Sequence, residues 1–158
     1  LAVVLRGLKI LLQSLQDVVE NGKGERNHLR KLGQGFFNFS LDHPEFLRLI
    51  MIFEANTCIY YGDHANAGEK SEYHKACQDT TDAIADLMTG TIQKAKENNT
   101  IQTNLTPVQL MLILWGQVFG VMQIILMRRD HFKDAFGISY HDLFDAFMNM
   151  VETAITPK

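Results

Sequence analysis

The sequence is short of everything that would break or bridge its chain. Three prolines and eleven glycines in 158 residues are few, and the prolines and the glycine-rich turns mark where helices should start or stop. No window alternates apolar and polar residues with the β-branched richness of a strand, so a sheet is not expected. Basic residues are outnumbered, 15 lysines and arginines against 18 aspartates and glutamates for a net charge of −3. No stretch gathers them into a stripe that could neutralise a run of phosphates, so this segment by itself should not grip DNA. The cysteines, Cys58 and Cys77, lack the spacing of a zinc site or redox pair and read as buried, reduced thiols of a cytoplasmic protein. No nucleophile stands beside a base and no carboxylates pair in an apolar setting, so an enzyme is not expected, nor is a cofactor or metal. The apolar start, residues 1 to 12, carries Arg6 and Lys9 inside the run and has no small-residue cleavage site, unlike a signal peptide.

What is present is helical periodicity in a chain long enough, and at 46% hydrophobic apolar enough, to bury one substantial core. Six helices and one all-α domain spanning 1 to 158 are expected. The first covers roughly 1 to 20, with Leu1, Leu5, Leu8, Leu12, Leu15 and Val19 on one stripe, and ends at the glycine-rich turn 21 to 24. The second, roughly 25 to 40, puts Leu29, Leu32, Phe36 and Phe39 on one face; Gly33 and Gly35 within it serve close packing or leave space for something bound. The third opens at Asp42-His43-Pro44-Glu45, where Asp42 can cap and Pro44 sits in the first turn, and runs to Tyr61. It is apolar nearly all round and is expected to be the central helix. After a loop at 62 to 69, the fourth, about 71 to 97, carries Tyr73, Cys77, Thr80, Ile84, Leu87, Met88, Thr91 and Ala95 and is closed by Asn98-Asn99.

Thr106-Pro107-Val108-Gln109 spells a capping box with proline first inside the fifth helix, which runs to about residue 129. Between Leu110 and Met127 only Gln117 and Gln123 are strongly polar. A membrane span needs about 20 such residues, but the glutamines, the glycines and the acidic remainder of the chain favour a soluble helix covered on two sides, by its own core and by a second subunit. The sixth helix starts at Ser139-Tyr140-His141-Asp142, another cap with an acid in the first turn. Its apolar residues, Leu143, Phe144, Phe147, Met148, Met150, Val151 and Ile155, make a face wider than one contact requires, which implies a partner inside the chain and one outside.

Few motifs point to chemistry. Glu25 and His28 have the Glu-x-x-His spacing of di-iron bundles, but such sites need a second copy and two further glutamates. The histidines, 28, 43, 64, 74, 131 and 141, share no ligand spacing; His43 and His74 could each donate a hydrogen bond into a cavity. Gly33-Gln34-Gly35 is too short for a phosphate loop and follows no strand. Gly116 and Gly120, four apart on the fifth helix, let another helix approach closely and read as a packing seam. Phe36, Phe39, Met51, Cys58, Tyr61, Tyr73, Cys77, Met88, Trp115, Phe119 and Met122 make several helical faces rich in aromatic and sulfur side chains. They are core, or the adaptable lining of a pocket for a small, mostly apolar ligand.

Three segments resemble the regulatory domain of TetR/AcrR-family transcriptional regulators: Phe37-Asn38-Phe39-Ser40-Leu41-Asp42-His43-Pro44-Glu45-Phe46; Ile92-Gln93-Lys94-Ala95-Lys96 through Leu105-Thr106-Pro107; and Leu114-Trp115-Gly116-Gln117-Val118-Phe119-Gly120. The last is the most specific, and the resemblance extends over essentially the whole chain. It implies an effector-binding domain whose first helix is the connector to a preceding helix-turn-helix domain, absent from this sequence, which begins without methionine and already in helical register. DNA would be bound only through that domain, with repression or activation set by the state the effector prefers. It further implies a homodimer in which the last two helices pair with their copies as a four-helix bundle. Gly116, Gly120, Gln123, Met127, Phe144, Met148, Val151 and Ile155 are the expected interface, with no membrane partner. The alternatives are a helical dimerisation module with a filled core and, further off, a helical-bundle metal-binding protein.

Overall fold

The described residues are helical nearly throughout, with short turns between the helices. The computed structural model describes residues 1–22, 28–56 and 72–157. Among these the elements are α1 (Ala2–Asn21), α2 (His28–Asp42), α3 (Pro44–Ala55), α4 (Glu72–Glu97), α5 (Pro107–Met127), α6 (Phe132–Phe136) and α7 (Tyr140–Ile155), with one 3-10 turn, Arg129–His131, before α6. The fold is all-α. The short α6 was not expected; Gly137, at φ 71°, ends it, in the left-handed conformation that glycine adopts without strain.

The predicted capping box forms at Thr106, and the cap expected at Ser139 closes as a second one. The Gln109 amide donates to Thr106 Oγ1 at 3.2 Å and the Thr106 amide to Gln109 Oε1 at 2.9 Å. At α7 the Asp142 amide donates to Ser139 Oγ at 3.0 Å and the Ser139 amide to Asp142 Oδ2 at 3.1 Å. The Ser139 hydroxyl, donating to Asp142 Oδ2 at 2.8 Å, and the Ser139 amide hold the Asp142 carboxyl below the usual carboxylate range. Asn99 closes α4 at φ 55°. Asp42 does not cap α3: it is the last residue of α2, and His43 alone separates the two helices, with Pro44 first inside α3.

The middle of the domain is α1 and α2 and not α3. Helix α1 lies against α2, α3 and α4, while α2 also touches α4, α5 and α7. Helix α3 buries Leu47, Ile50 and Phe53 but leaves Ile52 60% exposed, so a nearly all-round apolar sequence here packs on one side only. On α1 the core stripe is Val4, Leu8, Leu11 and Leu15, rotated part of a turn from the sequence reading; Leu1 is exposed, and Leu5, Leu12 and Val19 lie at its edge. Burying each large side chain of this kind stabilises the fold by roughly 1.5–3 kcal/mol.

Helices α1 and α3 meet at Gly7. A Cβ there would lie 2.9 Å from Phe46 Cβ and 3.0 Å from its Cγ, inside contact distance. Alanine would gain up to about 1 kcal/mol of helix propensity, but displacing Phe46 at its base costs about 1–3 kcal/mol, so the clash wins. Gly7→Ala should lower the urea midpoint by the equivalent of about 1 kcal/mol. Gly116→Ala, where nothing lies within 4 Å of the new atom, should leave monomer stability unchanged or raise it; equal responses would mean that the α1–α3 contact is looser than described.

Candidate functional site

Helices α1, α2, α4, α5 and α7 converge without filling the space between them, leaving a cavity of about 50 Å3. Its wall is Leu15 of α1; Leu29, Leu32, Gly33 and Phe36 of α2; Met88 and Ile92 of α4; Leu114, Trp115 and Val118 of α5; and Phe147, Met148 and Val151 of α7. Essentially no polar atom faces it. Gly33 sets the spacing of α2 and α7, because a Cβ at that position would fall 2.7 Å from Met148 Sδ. Aromatic edges hold the opposite wall: Phe36 meets Trp115 edge-on at 5.6 Å between centroids, and Trp115 meets Phe119 at 4.7 Å. Polar groups also tie α2 to α7. Arg30 donates to Glu152 Oε2 at 2.8 Å and to Asn149 Oδ1 at 3.1 Å, with Asp145 at 3.7 Å. An empty space of this volume costs roughly 1 kcal/mol at about 24 cal/mol per Å3.

Met88 and Trp115 also face a second, more open chamber of about 130 Å3, completed by Glu54 of α3, by Thr81, Ile84 and Ala85 of α4, and by Met111 and Leu112 of α5. The carboxyl of Glu54 is set into this mostly apolar wall. Desolvation pushes its pKa up from the ordinary 4.5, and the nearby charge of Asp82 adds to the rise. The Thr81 hydroxyl opposes both by favouring the charged form, although its oxygen is sealed from solvent with no partner at strict hydrogen-bonding distance.

The residues expected to line a pocket divide. Phe36, Met88 and Trp115 line the inner cavity, and Phe119 backs it, 5.3 Å from the Phe36 ring. Phe39, Cys77 and Met122 are buried but belong to the core beside it. Cys77 points its sulfur at the Leu1 carbonyl 3.7 Å away, and burial pushes its thiol pKa up. Met51 lies in a separate shallow groove with Arg48, Ile52, Gln123, Leu126 and Met127. Tyr73 is 53% exposed; its neighbour His74 turns inward in its place, 6.1 Å from the Phe53 ring. His43 packs its ring between Phe39 and Phe46. Cys58, Tyr61, Glu25, His64 and the 62 to 69 loop lie outside the described residues.

The expected interface divides as well. Gly116, Gly120, Gln123 and Met127 are exposed on the outer side of α5. Phe144, Met148, Val151 and Ile155 are instead buried in the chain's own core. Phe144 stacks on Phe37 at 4.1 Å, while Met148 and Val151 wall the cavity. The broad apolar face of α7 is consumed within the chain, because α2 presents a second buried flank through Phe37, and its outward positions are mainly polar, with Met150 59% exposed among them. Gly33, read from sequence as a place of close packing or open space, does pack closely, against Met148; wall residues outside the predicted lining carry a periodic signal, since Leu29 precedes Leu32 by one turn and Val118 follows Trp115 by one turn. Among the described residues no cluster of three metal-ligating side chains occurs, and one helix, Pro107–Met127, is long and apolar enough to cross a membrane.

No family model matches the chain, and neither a curated protein nor a solved structure matches it.

The Glu54 carboxyl gives a pH signature. Its folded-state pKa lies above the ordinary value, so its contribution is favourable at low pH and is lost as pH rises through the folded value. Glu54→Gln should therefore melt at a higher temperature than the parent at neutral pH, with the difference closing below about pH 4. A variant less stable than the parent at neutral pH, with the gap widening as pH rises, would show that the carboxylate is stabilised by its surroundings instead.

Proposed function

We propose that this chain is the effector-binding and dimerisation part of a TetR/AcrR-like transcriptional regulator. In this reading a small, mostly apolar molecule enters the cavity beside Trp115, and two copies pair along α5. The observation that carries it is the inner cavity itself, an unfilled and wholly apolar space at the junction of five helices, in a fold whose interior would otherwise close on it. Leu15 of α1 forms part of its wall. A ligand pressing there bears on the helix that the family resemblance makes the connector to a DNA-binding domain. An effector that prefers one position of α1 would select one spacing of two DNA-reading heads.

The outer face of α5 supports the pairing. Leu112, Ile113, Ile124 and Met127 are between 44% and 71% exposed, and Gly116 and Gly120 lie between them with nothing within 4 Å of a built Cβ. Two such faces can approach closely at the glycines and bury the aliphatic side chains around them. Gly120→Leu should convert a dimer to monomer at micromolar concentration in analytical ultracentrifugation, with the monomer still folded. An unchanged dimer would move the seam elsewhere.

The small volume of the cavity favours one rival, a helical dimerisation module that binds nothing. Trp115 is the sole tryptophan and stands in the cavity wall, so its emission reports occupancy directly. Titration with n-alkanols of increasing length should shift that emission and raise stability by about 2.7 kcal/mol at a hundredfold excess over Kd. Val118→Phe, which fills the chamber, should abolish both responses. A parent protein indifferent to every alkanol would leave the filled-core module.

A further inference from the structure

The outer chamber opens on the exposed side of α5. Of the residues that wall it, Leu112 alone is exposed, so the chamber meets solvent at this side chain. Further along α5 lies the shallow groove of about 300 Å3 lined by Arg48, Met51, Ile52, Gln123, Leu126 and Met127. Chamber and groove lie on one flank of α5, because α3 borders both, through Glu54 and through Ile52. They also lie toward opposite ends of the helix, with Gly116 and Gly120 about midway between them.

A second copy of the chain fits this spacing. A two-fold axis at right angles to α5, at the level of Val118, reverses the direction of the helix and keeps each flank on its own side. Gly116 then faces the partner's Gly120, Ile113 faces the partner's Ile124, and Leu112 comes over the partner's groove. The glycines let the two backbones approach, and Leu112 enters a recess walled by the partner's Met51, Ile52 and Leu126. Charge favours the same direction. The groove carries Arg48. The chamber's flank carries Asp82, close enough to Glu54 to repel its charge, and Asp86, both exposed. Antiparallel pairing brings these opposite signs together, whereas parallel pairing would set the exposed Arg128 and Arg129 against their own copies.

We infer that the outer chamber is a site shared between two copies. Helix α5 pairs antiparallel with the partner's α5, Leu112 seats in the partner's groove between α3 and α5, and the partner's Ile52 and Gln123 close the chamber. This rests on the pairing along α5 proposed above and adds its direction, its register and the site that it completes. A small apolar molecule held in the chamber touches both copies, so ligand and pairing strengthen each other.

Cysteine cross-linking reads the register. Ile113 and Ile124, both exposed, stand about 16 Å apart along one helix at 1.5 Å per residue, too far for a disulfide within one chain. Every variant carries Cys58→Ser, so that only the buried Cys77 accompanies the new thiols. The double variant Ile113→Cys with Ile124→Cys should form covalent dimers on mild oxidation, and neither single variant should. In the cross-linked dimer the sole tryptophan, Trp115, should lose its quenching by acrylamide relative to the reduced, diluted monomer. Ile52→Ser, at a residue that walls no part of its own chamber, should restore quenching in the cross-linked dimer and leave the monomer unchanged. Covalent dimers from a single variant would show parallel pairing and overturn the shared chamber. A double variant that stays uncross-linked while the parent is dimeric would overturn it too, by moving the seam to another register or helix. So would a cross-linked dimer whose Trp115 is as accessible as the monomer's, or one that Ile52→Ser leaves unaltered; in these cases pairing along α5 still stands. A parent that is monomeric at every concentration overturns both.

Discussion

Everything around the cavity depends on how closely α2 can approach α7. With glycine at position 33 the Met148 thioether lies against the α2 backbone, where any Cβ would be 2.7 Å away. One turn further on, Phe37 stacks on Phe144 at 4.1 Å, and at the other end Arg30 reaches Glu152 and Asn149. These contacts fix α7 on one flank of α2 and leave Phe36 pointing along the other, at Trp115 and Phe119. The cavity is what remains when the large rings of α2 and α5 brace against each other before the aliphatic side chains of α4 and α7 can close the gap. Close packing is the default in protein interiors, so a gap held open by ring contacts is a property of this arrangement of glycine and aromatic residues.

Helix α5 divides its apolar surface between two duties. Its inner side, from Leu110 and Met111 through Val118 to Met122, Ile125 and Leu126, is buried, and its outer side carries Leu112, Ile113, Ile124 and Met127 into solvent. A helix that is apolar on both sides is either enclosed or unfinished, and here the chain encloses one side. Trp115 and Gly116 are consecutive, the first in the cavity wall and the second on the open face. A change in the wall is therefore a change at the base of the outer face, carried by a single rigid helical turn.

The elements that could be read from sequence are those fixed by local chemistry. Thr106 with Gln109, and Ser139 with Asp142, close their boxes within four residues, so no distant part of the chain can overrule them. Asp42 has the right side chain for a cap, but α2 continues through it; the decision lies with the contacts of α2, which no local pattern reports. Periodicity placed Phe36, Met88 and Trp115 together in the cavity wall, because spacing on a helix fixes a common face even when the partner is unknown. It failed by one residue at Tyr73, where His74 is the buried neighbour: a stripe read from residue types follows apolarity, and tyrosine outranks histidine on that scale regardless of which points inward. Of the wide apolar face read on α7, Phe144, Met148, Val151 and Ile155 are buried within the chain, while Met150 is 59% exposed. Amphipathic width counts neighbours without saying to which molecule they belong.

The same limit hid the outer chamber. Glu54 follows an apolar run on α3, and Thr81 stands one position from Asp82 on α4; in sequence they are ordinary polar positions at the margins of two helices. Only the tertiary arrangement of α3, α4 and α5 brings them into one wall with Met111 and Leu112. Burial then changes what the carboxylate is. Against apolar side chains it resists ionisation, and the charge of Asp82 adds to that resistance. The two chambers share Met88 and Trp115 as a common wall, so the packing of these two side chains sets the shape of both at once.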